Sequence, residues 1–282
     1  MAFSYARRPG AQTDRKDRRG GLLRLIVSVL LIAWVIRSFV FAPFSIPSGS
    51  MLPTLFIGDY VMVAKWPYGF SRVSFPWGFP SFDGRIFRNL PERGDVVVFR
   101  APGTNEDFVK RVIGLPGDRI EVRGGMLVIN GRPIPRQQAG TFAMPVSANS
   151  PCRVVGGATP MTSPTDDGGI ACLYPVFREN LPDGHSHLVI DQVDNPRADS
   201  VAPTVVPDGH VFLMGDNRDD SLDSRFSTAE GGIGFVPVEN LIGRATLIFW
   251  STDGTAEYAK PWTWFTALRR DRIASGFNGQ ER

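Results

Sequence analysis

Residues Arg93 to Gly131 read RGDVVVFRAPGTNEDFVKRVIGLPGDRIEVRGGMLVING. Short runs rich in β-branched and apolar residues, Asp95–Phe99, Phe108–Ile113, Arg119–Val122 and Met126–Ile129, alternate there with Pro-Gly, Gly-Asp and Asn-Gly dipeptides. Runs of this length bounded by turn residues predict strands. Working outward, Tyr60–Ala64 upstream and His210–Met214 and Ala245–Trp250 downstream have the same character. No long helical period occurs outside an N-terminal apolar run and the tail, so the fold class is mainly β. From Gly131 to Pro207 the pattern degrades into Gly, Pro, Asp, Ser and Asn. We therefore expect one β domain built from residues 44–130 and 208–252, interrupted by an inserted β/loop subdomain at 131–207 and followed by a tail at 253–282.

The 282 residues include 30 Gly and 23 Pro and carry a net charge of +3, a turn-rich composition that is neither disordered nor fibrous. The positive charge is uneven: Arg7, Arg8, Arg15, Lys16, Arg18 and Arg19 crowd residues 1–21. No helix-turn-helix pattern or stacking motif follows them, so a nucleic-acid partner is not expected. Leu22–Phe44 is mostly apolar and as a helix would reach roughly 34 Å at 1.5 Å per residue, enough to cross a bilayer. A transmembrane helix at 22–43 is the expectation, with the basic flank on the cytoplasmic side. The competing reading is a cleavable leader cut after Val40-Phe41-Ala42, but the apolar run is long for one and Pro43 would follow the cut.

Cys152 and Cys172 are the two cysteines. On the outer side of a membrane they could form a disulfide; with the scattered His185, His187 and His210 they give no recognised zinc spacing. His185-Ser186-His187 reads as a polar loop. Trp66–Phe87 interleaves eight aromatic residues with Pro and Gly, which suits either a buried hairpin or a surface resting on the bilayer. Trp262-Thr263-Trp264-Phe265 with Leu268, Arg269 and Arg270 suits either a membrane surface or a packing helix.

Pro47-Ser48-Gly49-Ser50-Met51-Leu52-Pro53-Thr54-Leu55 begins directly after the apolar run. A serine nucleophile needs a base, and none of the histidines stands in a triad-like motif. A lysine serves if burial lowers its pKa by disfavouring the charged form, and Lys110 in Phe108–Gly114 has apolar neighbours to do so. A third polar segment, Met214-Gly215-Asp216-Asn217-Arg218-Asp219-Asp220-Ser221-Leu222-Asp223-Ser224-Arg225, suits a hydrogen-bonded turn or a network that fixes such a base.

These segments stand in order with Gly58-Asp59-Tyr60 and Gly114-Leu115-Pro116-Gly117-Asp118, and in that combination the chain resembles bacterial type I signal peptidases, Ser/Lys-dyad membrane serine proteases of peptidase family S26. The likeness runs through Phe44–Lys65, Arg93–Asp118 and Val206–Arg225. It implies a signal-peptidase/self-cleaving-repressor-like β core in which Ser50 is the acylated nucleophile and Lys110 its general base. It further implies that Ser48 and the Ser50 N–H stabilise the oxyanion, that Ser221 orients the lysine, and that Asp223 and Arg225 support it. Phe44, Ile46, Leu55 and Val109 match positions lining pockets for small side chains before the cut. The implied partners are secretory preproteins and membrane phospholipids, with no metal or organic cofactor. The implied location is the bacterial inner membrane, single-pass, with the N-terminus cytoplasmic and the β domain periplasmic. Phe108 replaces a frequent Tyr, and Gly131–Pro207 is hard to match. A pilus-maturation protease with the same dyad logic and an anchored non-enzymatic binding protein are the rival readings.

Overall fold

The computed structural model describes residues 13–276 apart from 167 and 258. Arg7 and Arg8 of the basic segment and the last six residues of the tail lie outside the described residues. An α-helix runs from Thr13 to Val35 and continues as a π-helical segment through Ile36–Val40. Within it Gly21–Val40 has a mean hydropathy of 2.1 and is almost wholly unburied by the rest of the chain. The helix ends three residues before the expected boundary at 43, because Pro43 has no N–H to donate and disfavours helical backbone at Ala42. Phe41–Ser45 instead forms a strand, antiparallel to Asp59–Ala64, with Phe41 opposite Ala64 and Ser45 opposite Tyr60.

That pair begins a seven-stranded sheet whose order is Phe41–Ser45, Asp59–Ala64, Leu241–Ser251, Val96–Arg100, Asp107–Gly114, His210–Met214 and Val236–Pro237. Every neighbouring pair is antiparallel. The chain is mainly β, as its turn-bounded apolar runs predict, and the strands at 59–64 and 241–251 that join the two halves of the domain lie side by side. Alternate residues feed different clusters: Val96, Val98 and Val109 pack with Val61, Val63 and Ile248, whereas Val97, Phe99 and Val112 pack with Val211, Leu213 and Val236, the period of two that strands impose.

A second sheet, ordered Ser200–Val205, Arg119–Arg123, Met126–Ile129 and Arg132–Pro133, packs through Ile120, Val122, Leu127 and Ile129 against Ile113, Phe212 and Met214. Ser200–Val205 lies within the expected insertion yet belongs to this sheet, so the β domain resumes earlier than residue 208. The rest of the insertion combines strands with loops and a short helix, Pro196–Asp199. Arg136–Pro145 pairs along Ile170–Asn180, which also pairs with Met161–Pro164 and Ser186–Ile190. Cys152 and Cys172 are joined by a disulfide. The subdomain meets the β domain where Met144, Tyr174, Val176 and Ile190 pack against Leu52 and Phe56. His187 is not in a polar loop; it is a buried strand residue 3.7 Å from Glu179.

The aromatic stretch divides its roles. Tyr68 and Phe75 are buried, whereas Trp77, Phe79 and Phe87 are exposed. Phe39 of the helix meets Phe70 and Phe75 edge-on at 5.3 Å each, an arrangement that aromatic quadrupoles favour. The tail divides likewise: Trp262 and Phe265 are exposed, while Arg269 and Arg272 turn inward. Arg269 Nη1 donates to the Ile57 carbonyl at 2.8 Å, and Arg272 Nη2 to Asp59 at 2.6 Å.

Candidate active site

The sheet curls enough for its first and fifth strands to face each other across a cleft of about 810 Å³. Phe44, Ile46 and Ser48 line one wall and Phe108, Val109 and Lys110 the other; Ser50 and Ser221 also reach it. The Ser48-Gly49-Ser50 loop is pinned from the polar turn after Met214: the Asn217 N–H donates to the Ser50 carbonyl at 3.0 Å, and Asn217 Nδ2 to the Gly49 carbonyl at 3.2 Å.

Lys110 reaches this loop from the middle of its strand, where it pairs with Val97. Its Nζ donates to Ser50 Oγ at 2.5 Å, and both residues are buried. Burial pushes the Lys110 amine down to about 8; Asp223 and Asp216 pull it up, and Arg225 pushes it further down. Removing water from an ammonium disfavours the charged form, and the distant carboxylates restore only part of the loss. Ser48 Oγ lies 3.4 Å from Ser50 Oγ.

Ser221 is buried in the same cleft, and its Oγ has no hydrogen-bond partner among the described residues. Behind it, burial alone would raise the Asp223 carboxyl, but the Arg225 guanidinium and the Gly215 N–H hold it below the usual carboxylate range. Arg225 Nε and Nη2 donate to Asp223 at 2.9 and 3.0 Å, and Gly215 N at 3.0 Å. Phe44, Ile46 and Val109 line the cleft. Leu55 shares their apolar cluster but is fully buried and presents no surface to the cleft.

Other residues stand out only in three dimensions. A Cβ on Gly215 would come within 2.3 Å of Ser221 Oγ and 2.5 Å of the Ser50 carbonyl, so only glycine fits between the polar turn and the serine loop. Arg111 grips Asp216 through Nε at 2.8 Å and Nη2 at 2.6 Å, and Thr54 Oγ1 donates to the same carboxylate at 2.5 Å. This ties the serine loop, the lysine strand and the polar turn together, and the signal for it was the alternation that turns Arg111 away from Lys110. Arg153, beside the disulfide, makes a two-pronged pair with Asp220 of the cleft at 2.6 and 2.7 Å. Asp191, Asp199 and Asp219 place carboxylate oxygens within 4.8 Å of one another. Arg136 pairs with Asp191, and backbone N–H groups donate to Asp199 and Asp219, while Asp219 Oδ1 has no partner among the described residues.

Residues 19–250 match the family described as signal peptidase, peptidase S26. The chain belongs to that family. It is similar to signal peptidase I of Rickettsia typhi, 37% identical over 233 residues that make up 79% of this chain and 77% of the relative. Signal peptidase I of Rickettsia felis is 36% identical over the same shares. A crystal structure of a signal peptidase I from Enterococcus faecalis V583 aligns with 56% of this chain and 98% of its own at 23% identity and a TM-score of 0.27; the fold described here rests on the strand order. The chain is thus an S26 peptidase with an N-terminal apolar helix. The S26 match takes in the serine loop, the lysine strand and the polar turn, and stops short of the tail.

Proposed function

We propose that the protein is a membrane-bound serine endopeptidase that cleaves signal peptides from exported preproteins, with Ser50 as nucleophile and Lys110 as general base. One observation carries the reading: the Lys110 amine sits 2.5 Å from Ser50 Oγ at the floor of a cleft, desolvated so that its neutral form is accessible near pH 8. The neutral amine takes the hydroxyl proton as Ser50 Oγ bonds to the scissile carbonyl carbon, then gives it to the departing amine. A water deprotonated by the same lysine hydrolyses the acyl-enzyme. The Ser50 N–H and Ser48 hydroxyl supply the oxyanion donors, and each donor of this kind contributes about 3 kcal/mol.

In this scheme Ser221 orients the lysine amine during catalysis, and Asp223 with Arg225 holds the turn that carries it. An extended substrate lies between the walls at Phe44–Ser48 and Phe108–Lys110, and Ile46 and Val109 favour small apolar side chains before the cut. Leu55 backs that pocket. The Gly21–Val40 helix anchors the chain in the inner membrane, and the basic residues before it keep the N-terminus in the cytoplasm. The β domain then lies in the periplasm, with exposed Trp77, Phe79, Trp262 and Phe265 against phospholipid. No metal or organic cofactor enters the scheme.

Purified protein incubated in detergent with a radiolabelled secretory precursor is expected to release a mature product whose new N-terminus, read by sequencing, follows a small residue. Wild-type protein that leaves several precursors intact would overturn the proposal.

A further inference from the structure

A second cavity, of about 500 Å³, lies between the helix and the β domain. Leu30, Trp34 and Arg37 of the helix line it on one side, and Lys65, Phe75 and Trp77 of the domain on the other. Its charge is unbalanced. The Arg37 side chain makes no hydrogen bond or ion pair among the described residues. Lys65 is buried, and its amine has one acceptor, the Ser74 carbonyl at 2.5 Å. Arg100 and Asp107, also in the lining, satisfy each other at 2.6 Å. Arg37, Lys65 and Arg100 thus face one carboxylate, Asp107, across the lining; burial and Arg37 push the Lys65 amine down to about 8, and Asp107 offsets only part of this.

The position adds a second constraint. Arg37 lies one helical turn before the apolar span ends at Val40, which is headgroup level for a helix crossing a hydrocarbon core about 30 Å thick. Leu30 and Trp34 lie below it at helical spacing, at acyl-chain depth. We propose that this cavity holds the phosphate of one anionic phospholipid between Arg37 and Lys65, with an acyl chain along Leu30 and Trp34. A zwitterionic lipid is disfavoured because its ammonium would enter a site already rich in cations. The apolar segment of a preprotein is disfavoured because it brings no negative charge. The inference rests on reading the helix as a membrane anchor.

Native mass spectrometry of the full chain in detergent, with phosphatidylglycerol or phosphatidylcholine of identical chains, tests it. Wild-type protein is expected to retain one phosphatidylglycerol at about tenfold lower lipid excess than phosphatidylcholine, whose phosphate offers the same acceptors but whose ammonium is repelled by Arg37 and Lys65. Arg37→Gln and Lys65→Gln should each remove most of that preference. Arg37 is exposed, so its variant stays informative if Lys65→Gln does not fold. Hydrolysis of a short soluble peptide in lipid-free detergent should be unchanged in Arg37→Gln, which separates this site from the Ser50 chemistry. Equal retention of the two lipids, or variants that match wild type, overturns the proposal. So does displacement of the lipid by millimolar inorganic phosphate, which would make the acyl chain irrelevant. A weakened apparent affinity for preprotein in Arg37→Gln, with lipid retention intact, would reassign the cavity to substrate and overturn it as well. If the anchor reading itself fails, the protein will instead remain soluble without detergent.

Discussion

Lys65 and Lys110 are two buried lysines of one β domain, and burial pushes each amine down to about 8. Their surroundings then diverge. Lys110 meets a hydroxyl, Ser50 Oγ, in an open cleft, with Asp223 and Asp216 tempering its loss of charge. Lys65 meets a backbone carbonyl, that of Ser74, and a second cation, Arg37, with Asp107 offsetting part of the loss of charge. A carbonyl has no proton to give, so a depressed pKa at Lys65 activates nothing. A perturbed lysine marks a base only where an acidic O–H and a path for substrate stand beside it; without them it marks a place where charge is wanted.

The largest effect that would break this contrast is loss of the dyad. Ser50→Ala and Lys110→Met should each lower precursor cleavage by about a thousandfold or more, and the double variant should be little worse, because the two groups act as one unit. Retention of folding is read by circular dichroism. A Lys110→Met enzyme within tenfold of wild type would put the two lysines in the same class. Next comes pH. The reactive species is the neutral amine, so with the Lys110 pKa lowered to about 8 the rate rises with pH and levels above it. Between pH 8 and pH 6 turnover should fall about fiftyfold, approaching tenfold per unit below pH 7, and a flat profile over that range would refute Lys110 as base.

How much of this was legible beforehand follows from what each segment packs against. The core strands were readable because one of their faces is buried, which leaves alternating or continuous apolar runs between turns. Arg136–Pro145 was not, because it is mostly exposed, as a strand with polar residues on both faces, and a bulge between Gln138 and Thr141 breaks its period. The helix end was misplaced because Phe41–Phe44 is equally apolar for lipid or for a sheet edge, and only the neighbouring Asp59–Ala64 strand decides. At the site, Ser50, Lys110 and the polar turn were readable as motifs, each in a short contiguous segment. The Arg111–Asp216–Thr54 network joins three segments far apart in the chain, and Gly215 has meaning only once Ser221 and Ser50 lie on either side of it.

Gly215 gives the next prediction. Gly215→Ala inserts a methyl group into space already filled by Ser221 Oγ and the Ser50 carbonyl, so the serine loop must shift away from Lys110. Misplacement of about 1 Å costs on the order of a hundredfold in rate. The loss should fall on kcat, with the pH midpoint near 8 retained; unchanged turnover would show that the lysine tolerates a loose serine. The insertion matters less. The disulfide closes a 20-residue separation, for which loop entropy suggests about 3 kcal/mol of stability. Cys152→Ala with Cys172→Ala should lower the unfolding midpoint in urea while turnover of the folded enzyme stays within about threefold. A collapse of turnover would mean that the Arg153–Asp220 contact positions the dyad.

The smallest effect on turnover is expected at Lys65 itself. Its folded pKa, about 8, lies below the roughly 10.4 of an exposed lysine, so between those values the unfolded chain binds more protons than the folded one. Stability therefore rises with pH across that window, and the cost of burying the charge is fully present below pH 8. Lys65→Met removes that cost among apolar neighbours and loses one hydrogen bond, worth about 1 kcal/mol. The variant should accordingly be more stable at pH 7, by about 1–2 kcal/mol, and lose the rise in stability between pH 8 and 10. Precursor cleavage in lipid-free detergent should stay within about threefold of wild type. Greater stability together with lost phosphatidylglycerol retention is what a buried cation kept for a ligand produces, because functional sites are held at the expense of stability. A Lys65→Met protein that is destabilised and also inactive would instead make Lys65 a structural support of the dyad, and the contrast between the two lysines would fail.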